Sequence, residues 1–263
     1  MEIGRPRLPG GWRAGAAALA LALASAAHAA PMPGGVAVVS LLQGAAEVRP
    51  DTAAAWRPLA LHDRIGRGAE VRMVPSAEGR LELTLPDRSR LRLKAPARIR
   101  LDTLAPAERG GVLLRLLRGH AWSSVRKALS GIRHYRIATG TAVLGVRGTR
   151  FDTAVAPDRS VDVRLFTGSV GIASPSRADR VEQGVPTTGA VRPPREIAAP
   201  REIAPPREVS LHDWLLVLKS MQRLHITADG TPGRPAAMEM ARQMGDPWIR
   251  WNLERDRRLN GNE

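Results

Sequence analysis

Side chains that could carry covalent chemistry are few and scattered in this sequence of 263 residues. The five histidines after residue 30 show no metal-ligand spacing, and no two of them stand four residues apart. His120 is close to Ser123 and Ser124, but a Ser–His pair also needs an orienting acid and an oxyanion site, which nothing in the sequence specifies. Cysteine is absent, which excludes thiol catalysis and disulfides. We therefore predict no catalytic residues, no metal site and no cofactor.

Arg147 is the first of three candidate binding residues. It lies in the run from Gly145 to Phe151, G-V-R-G-T-R-F, where two glycines flank Val146 and Arg147. Glycines allow tight reversals or a positive φ, so the run predicts a strand, a corner and a second strand. The guanidinium of Arg147 can either bind backbone carbonyls at that corner or contact a ligand.

Trp248 and Trp251 are the other two candidates. Asp246 and Pro247 suit the N-cap and the first position of a helix. On that helix Trp248, Trp251 and Arg255 would share one side. The helix either packs on the rest of the protein or presents an exposed aromatic patch to a protein or glycan partner.

The rest of the tail, residues 211–263, also has a helical pattern. An apolar stripe at mostly helical spacing runs through Trp214, Leu215, Val217, Leu218, Met221 and Leu224. A second set stands three residues apart, at Met238, Ala241 and Met244. We therefore predict a short α-helical C-terminal region.

The body of the chain, from Val36 to Ala173, instead alternates apolar and polar residues with a period of two, as in strands with one buried face. Turn residues separate these runs at Arg67-Gly68, Pro75-Ser76, Pro86-Asp87, Gly110-Gly111, Pro157-Asp158 and Gly168-Ser169. Many short strands at regular spacing are typical of an all-β sandwich, barrel or solenoid. We predict a mainly β domain over residues 30–173.

Residues 174–210 differ in composition and are rich in proline, arginine, alanine and glutamate. They contain a six-residue repeat between Pro194 and Val209, with P-R-E-I twice and then P-R-E-V. Proline at this density favours the extended polyproline II conformation. The segment is therefore either a semi-rigid linker or a docking strip for a partner.

The first 29 residues have the layout of a cleavable signal peptide. Three arginines precede an Ala- and Leu-rich run from Ala14 to Ala24, and Ala27-His28-Ala29 fits a cleavage site. The apolar run is shorter than the ~20 residues that cross a bilayer, and no later run reaches that length. We predict export to the periplasm and no stable membrane span after cleavage. Without cleavage, the run could act as an anchor.

The formal net charge is +15, and it falls to +13 without the three arginines and one glutamate of residues 1–29. Such a chain binds polyanions non-specifically, so the charge indicates either an anionic envelope polymer as ligand or a solvated surface. The strands do not carry the aromatic residues that stack single-stranded nucleic acid. We therefore predict no specific nucleic-acid partner.

Several motifs together resemble the FecR domain family over about residues 36–173. They lie at 44–48, at 56–71, in L-T-L-P-D-R-S at 83–89, in L-R-G-H-A-W at 117–122, in G-V-R-G-T-R-F at 145–151 and in L-F-T-G-S-V at 165–170. Arg88 and Thr139-Gly140 depart from the family pattern, which commonly has glycine and Thr-Pro at these places. The resemblance implies an all-β module of short strands in a solenoid-like arrangement, outside the inner membrane.

In regulators of this family, a cytoplasmic N-terminal segment controls a sigma factor, and the periplasmic domain receives a signal from an outer-membrane transporter. About thirteen residues precede the apolar run here, so we expect the interaction module without sigma-factor control. We predict a non-enzymatic periplasmic protein whose partner is an unknown envelope protein, such as an outer-membrane or signalling component. The alternative is a binding module for peptidoglycan or another anionic glycan.

We expect the exported protein to begin at Ala30, because cleavage follows the A-x-A motif of a signal peptide. N-terminal sequencing of protein from the periplasmic fraction checks this. A retained Met1, or a start inside the apolar run, would contradict the predicted cleavage.

Overall fold

The computed structural model describes residues 35–106, 111–127, 135–178 and 214–260, and these residues are mainly β. The strands are β1 (Ala37–Gln43), β2 (Ala46–Arg49), β3 (Arg57–Pro58), β4 (Arg64–Ile65), β5 (Glu70–Met73), β6 (Arg80–Thr84), β7 (Arg90–Leu104), β8 (Val112–Ser124), β9 (Tyr135–Ala138), β10 (Val143–Val155), β11 (Val161–Ala173), β12 (Leu215–Lys219), β13 (Gln222–Ile226) and β14 (Ala236–Ala237). Two helices follow, α1 (Met240–Gln243) and α2 (Pro247–Asn260). Within the described ranges, no helix has the length and apolar character needed to cross a membrane.

Four long strands each exchange a neighbour part-way along their length. β7 pairs with β6 through residues 90–94 and with β5 through residues 97–100. β8 pairs with β9 through residues 112–115 and with β10 through residues 119–124. In the same way, β10 changes from β9 to β8, and β11 changes from β13 to β12. The exchange divides the sheet into two leaves that share these four strands.

The first leaf also contains β1, β4, β6, β13 and β14, and the second leaf also contains β2, β3, β5, β9 and β12. Inward side chains of both leaves form one continuous core, which includes the fully buried Leu83, Leu93, Ile99, Leu144 and Val163. Full burial of one such side chain contributes about 1.5–3 kcal/mol to stability. The period-two pattern in the sequence arises because the apolar side chains point into this core.

Glycines lie where the long strands change neighbours. Gly119 in β8 has a φ of +85°, and a Cβ at this position would lie 2.7 Å from the Cα of Ala97 in β7. Gly168 in β11 has a φ of +94°, and a Cβ there would lie 2.7 Å from the carbonyl oxygen of Gly148 in β10. Residues with a Cβ are strained at such φ values and would clash at these distances. The two bends therefore depend on glycine.

The mainly β prediction is confirmed, but the expectation of short strands is wrong for the centre of the fold. β7, β8, β10 and β11 span 13 to 15 residues. Turns are present at Pro86-Asp87 and Pro157-Asp158, whereas Gly168-Ser169 lies inside β11. The predicted corner between Gly145 and Phe151 is a break in register within one continuous strand, because β10 changes its neighbour there.

The helical prediction is wrong for the first part of the tail. Residues 215–226 form β12 and β13, and both pair with β11, so that Leu218, Leu224 and Ile226 enter the core. Met238 precedes α1 and does not belong to it. The helix expected at Pro247 is confirmed as α2. Residues 175–178, at the start of the predicted linker, are helical, so the expectation of an extended conformation is wrong for them. Residues 179–210 of that linker, with the P-R-E-I repeat, lie outside the described residues.

We expect Gly119→Ala to lower the free energy of unfolding by more than about 1 kcal/mol, because the new Cβ meets β7 and the backbone keeps a positive φ. Gly140→Ala is the matched control, since a Cβ at Gly140 meets nothing within 4 Å. Chemical denaturation of both variants measures the difference. Equal stability of the two proteins would contradict the role of Gly119 in the bend.

Candidate functional site

A row of polar and aromatic side chains crosses the outer face of the first leaf. Cross-strand pairing aligns, in order from β6 to β11, Glu82, Arg92, Trp122, Asp152 and Arg164. Arg92 and Asp152 are fully buried, and Glu82 is 2% exposed. Unpaired buried charges cost several kcal/mol each, so the element that covers this row has to supply partners for them.

The covering element is α2. Asp246 caps it, because its Oδ1 accepts a hydrogen bond of 3.0 Å from the backbone N–H of Trp248. The Trp248 indole N–H donates to Asp152 Oδ1 at 2.8 Å. Arg164 donates to Asp152 Oδ2 at 2.8 Å and to Asp246 Oδ2 at 3.0 Å. The first turn of the helix is therefore fixed to β10 and β11.

Arg92 organises the contacts further along α2. Its Nε donates to Glu82 Oε2 at 2.6 Å, and its Nη2 lies 2.7 Å from Asp256 Oδ1. Arg255 donates two hydrogen bonds to the same Glu82 carboxylate, at 2.7 and 2.8 Å. Asp256 Oδ2 also accepts a hydrogen bond of 3.1 Å from the Trp122 indole N–H. Guanidinium and indole N–H groups thus bind both buried carboxylates at this end of the helix.

The row holds two ionised carboxylates, Glu82 and Asp152. Burial tends to raise the pKa of Glu82, but hydrogen bonds and charge from Arg255 and Arg92 outweigh burial and lower the pKa to about 2. Burial likewise opposes ionisation of Asp152, while its neighbours, first of all His120, hold its pKa below the ordinary value. Both groups therefore act on α2 as charged acceptors at neutral pH.

α2 brings two of the three candidate binding residues together, because the rings of Trp248 and Trp251 stack with centroids 5.8 Å apart. Trp248 is 2% exposed, so the alternative of an exposed aromatic patch is wrong for this residue. Trp251 is half-buried, and the Arg80 guanidinium lies 4.8 Å from its ring centroid. Arg147 pairs with Ser169 across β10 and β11, but its side chain lies outside the described part of the structure. Binding roles for Arg147 and Trp251 stay predictions.

The histidine and serine noted in the sequence have separate partners. His120 Nδ1 lies 3.4 Å from Asp152 Oδ2, and Ser123 Oγ lies 2.9 Å from the Tyr135 hydroxyl in the core. Among the residues that the structure describes, no three acidic or histidine side chains are placed to hold a metal ion. The arrangement of these groups thus serves packing and hydrogen bonding.

The outer face of the second leaf carries a different charge pattern, and we call it the arginine face. It consists of Trp56 and of six arginines on β2, β5, β7 and β8, namely Arg49, Arg72, Arg98, Arg100, Arg115 and Arg118. Four of these side chains are 36 to 44% exposed, which shows that the face is open to solvent. Cross-strand pairing sets Arg98 opposite Arg118 and Arg100 opposite Arg115.

Carboxylates within the arginine face hold its guanidinium groups. Glu70, which is 2% exposed, accepts hydrogen bonds from Arg49 and Arg98. Burial tends to raise the pKa of Glu70, but these two arginines keep it below the ordinary value. Asp102 binds two further arginines of the face, on β7 and β8, and Glu47 binds one on β5. With three carboxylates for six arginines, the face keeps an excess of three positive charges.

Trp56 packs against this face. Its ring centroid lies 4.2 Å from the guanidinium carbon of Arg72, 4.7 Å from that of Arg49 and 5.6 Å from that of Arg98. A cation near an aromatic ring is stabilised, but like charges directly opposite each other destabilise a sheet. In these pairs Asp102 binds both Arg100 and Arg115, and Glu70 binds Arg98, so the carboxylates offset the repulsion between opposing arginines.

The sequence pattern alone identifies neither surface as a unit. It assigns Arg98 and Arg100 to solvent positions of an alternating strand, and Glu82 and Arg92 to similar positions of other strands. The feature that could have indicated the arginine face is the arginine at both polar positions of A-R-I-R-L, residues 97–101, and at both ends of R-L-L-R, residues 115–118. The row beneath α2 gives no local signal, because Glu82 and Arg255 stand 173 residues apart.

Residues 72–171, which extend from β5 to β11, match the family model described as FecR protein. Residues 72–171 form a FecR domain. This result confirms the family that the sequence motifs predict. The FecR domain supplies Arg98, Arg100 and Arg115 to the arginine face, and it supplies Glu82 and Asp152 to the row beneath α2.

Two solved structures, both of a candidate anti-sigma factor from Parabacteroides distasonis, are similar over 65% of this chain. The sequence identities are 16% and 14%, and the TM-scores are 0.43 and 0.42. The chain spans 60% of the length of those proteins. No curated protein matches the sequence.

We expect Glu82→Gln to lower the free energy of unfolding by about 3 kcal/mol at neutral pH, because Arg92 and Arg255 lose their shared carboxylate. The pKa of about 2 in the folded protein is below the ordinary 4.5, so the stabilisation is complete above pH 4.5 and is lost as the pH falls towards 2. Glu254→Gln is the control, because that side chain is 43% exposed. Denaturation across this pH range measures both variants, and an equal loss in the two would contradict the role of Glu82.

Proposed function

We propose that this protein is a non-enzymatic interaction and signalling module of the periplasm. The observation that carries the proposal is the arginine face, which lies largely on the FecR domain and stays open to solvent. Its guanidinium groups are held in position by internal carboxylates such as Glu70 and Asp102. An open face with fixed donors and an excess of positive charge suits a complementary, acidic partner.

The two leaves have different roles in this proposal. α2 covers the outer face of the first leaf and neutralises its charges, so that surface is occupied within the chain itself. The second leaf retains Arg72, Arg98 and Arg115 at 39 to 44% exposure, and each of them has a carboxylate partner. A partner that approaches the second leaf meets these exposed guanidinium groups and the net positive charge of the arginine face.

The sequence supports the compartment of the module. Residues 1–29 have the layout of a signal peptide, which supports export to the periplasm. Residues 174–210 have the composition of a semi-rigid segment, and they connect β11 to a tail whose strands pair with the same β11. The partner would be an envelope protein, such as an outer-membrane or signalling component.

A second candidate function is binding of peptidoglycan or another anionic glycan. The half-buried ring of Trp251, with Arg80 at 4.8 Å, offers the combination of an aromatic surface and a cation that this reading needs. The net charge of +13 after removal of residues 1–29 also favours a polyanionic ligand. The arginine face supports the protein partner more strongly, because its donors are fixed in pairs.

Proximity labelling in the native periplasm tests the two candidates. We expect a peroxidase fusion of the full chain to label an envelope protein above the background of exported peroxidase, and labelling without any such protein would contradict the proposal. Sedimentation with isolated cell walls is the parallel measurement. Wall binding that persists at high salt and is lost in Trp251→Ala would favour the glycan, whereas loss at moderate salt would indicate charge alone.

A further inference from the structure

We infer that the arginine face binds an extended acidic segment of a protein partner, with carboxylates at alternate residues. The inference rests on the proposed interaction module and names the chemistry of its partner. It follows from three properties of the face, which are the fixed orientation of its guanidinium groups, their spacing and the position of Trp56.

The guanidinium groups are oriented before a ligand arrives. Asp102 accepts hydrogen bonds from the Nε atoms of Arg100 and Arg115, and Glu70 accepts one from the Nε of Arg98. A guanidinium has five N–H donors in a rigid plane, so an arginine that is held through Nε still has Nη donors for a second carboxylate. Two parallel hydrogen bonds from one guanidinium to a carboxylate are stronger and more specific than the attraction of a point charge such as a lysine ammonium.

The spacing matches an extended peptide. Arg98 and Arg100 stand two residues apart on β7, which places their Cα atoms ~6.8 Å apart, and alternate side chains of an extended acidic peptide have the same spacing. Arg118 and Arg115 stand opposite them on β8 at a strand separation of ~4.8 Å. Each pair can therefore bind one carboxylate, and two successive alternate carboxylates meet the two pairs.

Trp56 adds an apolar surface beside the pairs. Its ring is half-buried, and its centroid lies 5.6 Å from the guanidinium carbon of Arg98. A flat, partly exposed ring next to the pair of Arg98 and Arg118 suits the uncharged residues between the carboxylates of a peptide. A simple polyanion with densely spaced phosphates has no such residues, and for that reason the face favours an acidic peptide.

The probe is a capped eight-residue peptide with glutamate at every second position and threonine between. The control peptide has the same composition in the order E-E-T-T-E-E-T-T, in which no two glutamates stand two residues apart on one face of an extended strand. Calorimetric titration against the full mature chain, at about 0.15 M salt, measures both. We expect the alternating peptide to bind about tenfold more tightly than the control peptide, because it alone places carboxylates over both arginine pairs. Equal affinities, or tighter binding of inorganic polyphosphate, would overturn the inference.

Charge-conserving variants separate recognition from simple attraction. In Arg98→Lys with Arg115→Lys, both buried carboxylates keep another arginine, Arg49 or Arg100, and the net charge is unchanged. We expect this double variant to bind the alternating peptide about tenfold more weakly, because lysine lacks the planar fork. The melting temperature of the double variant verifies that its fold is intact. If the fold is lost, Arg118→Lys is the milder substitute, because the Arg118 side chain is exposed and has no carboxylate partner in the described structure.

The matched control is Arg234→Lys with Arg242→Lys, two exposed arginines outside the arginine face, which we expect to bind as the unchanged protein does. If the lysine variants of the face also bind as the unchanged protein does, the inference is wrong. The proposed function and this inference can be tested separately. If proximity labelling recovers the same partner equally with the face variant and with the unchanged protein, the proposed function is retained, but the arginine face is not the contact surface.

Discussion

The structure depends on one electrostatic constraint, which is that the charges on the outer face of the first leaf are removed from water and have to be matched by α2. Arg92 and Asp152 are fully buried, and each finds its counterpart partly on the helix. The desolvation of such groups costs several kcal/mol unless the geometry of the pairing is good. The helix therefore has one position and one orientation on the leaf, because a shift along its axis would leave buried charges unmatched.

This constraint also explains why the two faces of the β body differ. Beneath α2, the charges of Arg92, Arg164 and Arg255 are met by acidic side chains of both the sheet and the helix. On the arginine face, the internal carboxylates neutralise half of the guanidinium charge, and solvent meets the rest. Charge of one sign on an open surface weakens a fold through self-repulsion and serves association instead. Arginine thus binds α2 to the outer face of the first leaf, whereas on the second leaf it leaves an open surface with positive charge.

Much of the fold could be predicted from local patterns, since alternation marks Leu81, Leu83, Leu91 and Leu93 as inward residues of strands and Asp246 with Pro247 marks the start of α2. The length of the central strands could not be predicted in this way, because the exchange of the paired strand at Gly119 or Gly168 depends on pairing between distant segments. The run from Trp214 to Leu224 was compatible with a helix by spacing, and pairing with β11 decided the strand. The buried row escaped prediction for the same reason, because polar positions of a strand are expected in water.

α2 follows all the strands in the sequence, although it packs on strands that begin far earlier in the chain. The strands that it covers begin at Arg80, and the hydrogen bonds that fix it span 82 to 173 residues of sequence. Contacts between such distant segments form late, because the entropy of loop closure opposes them. A chain that ends before Pro247 therefore presents Trp122, Phe166 and the buried ion pairs to its surroundings. The 14 residues of α2 therefore decide whether the apolar and charged side chains on the outer face of the first leaf are shielded from water.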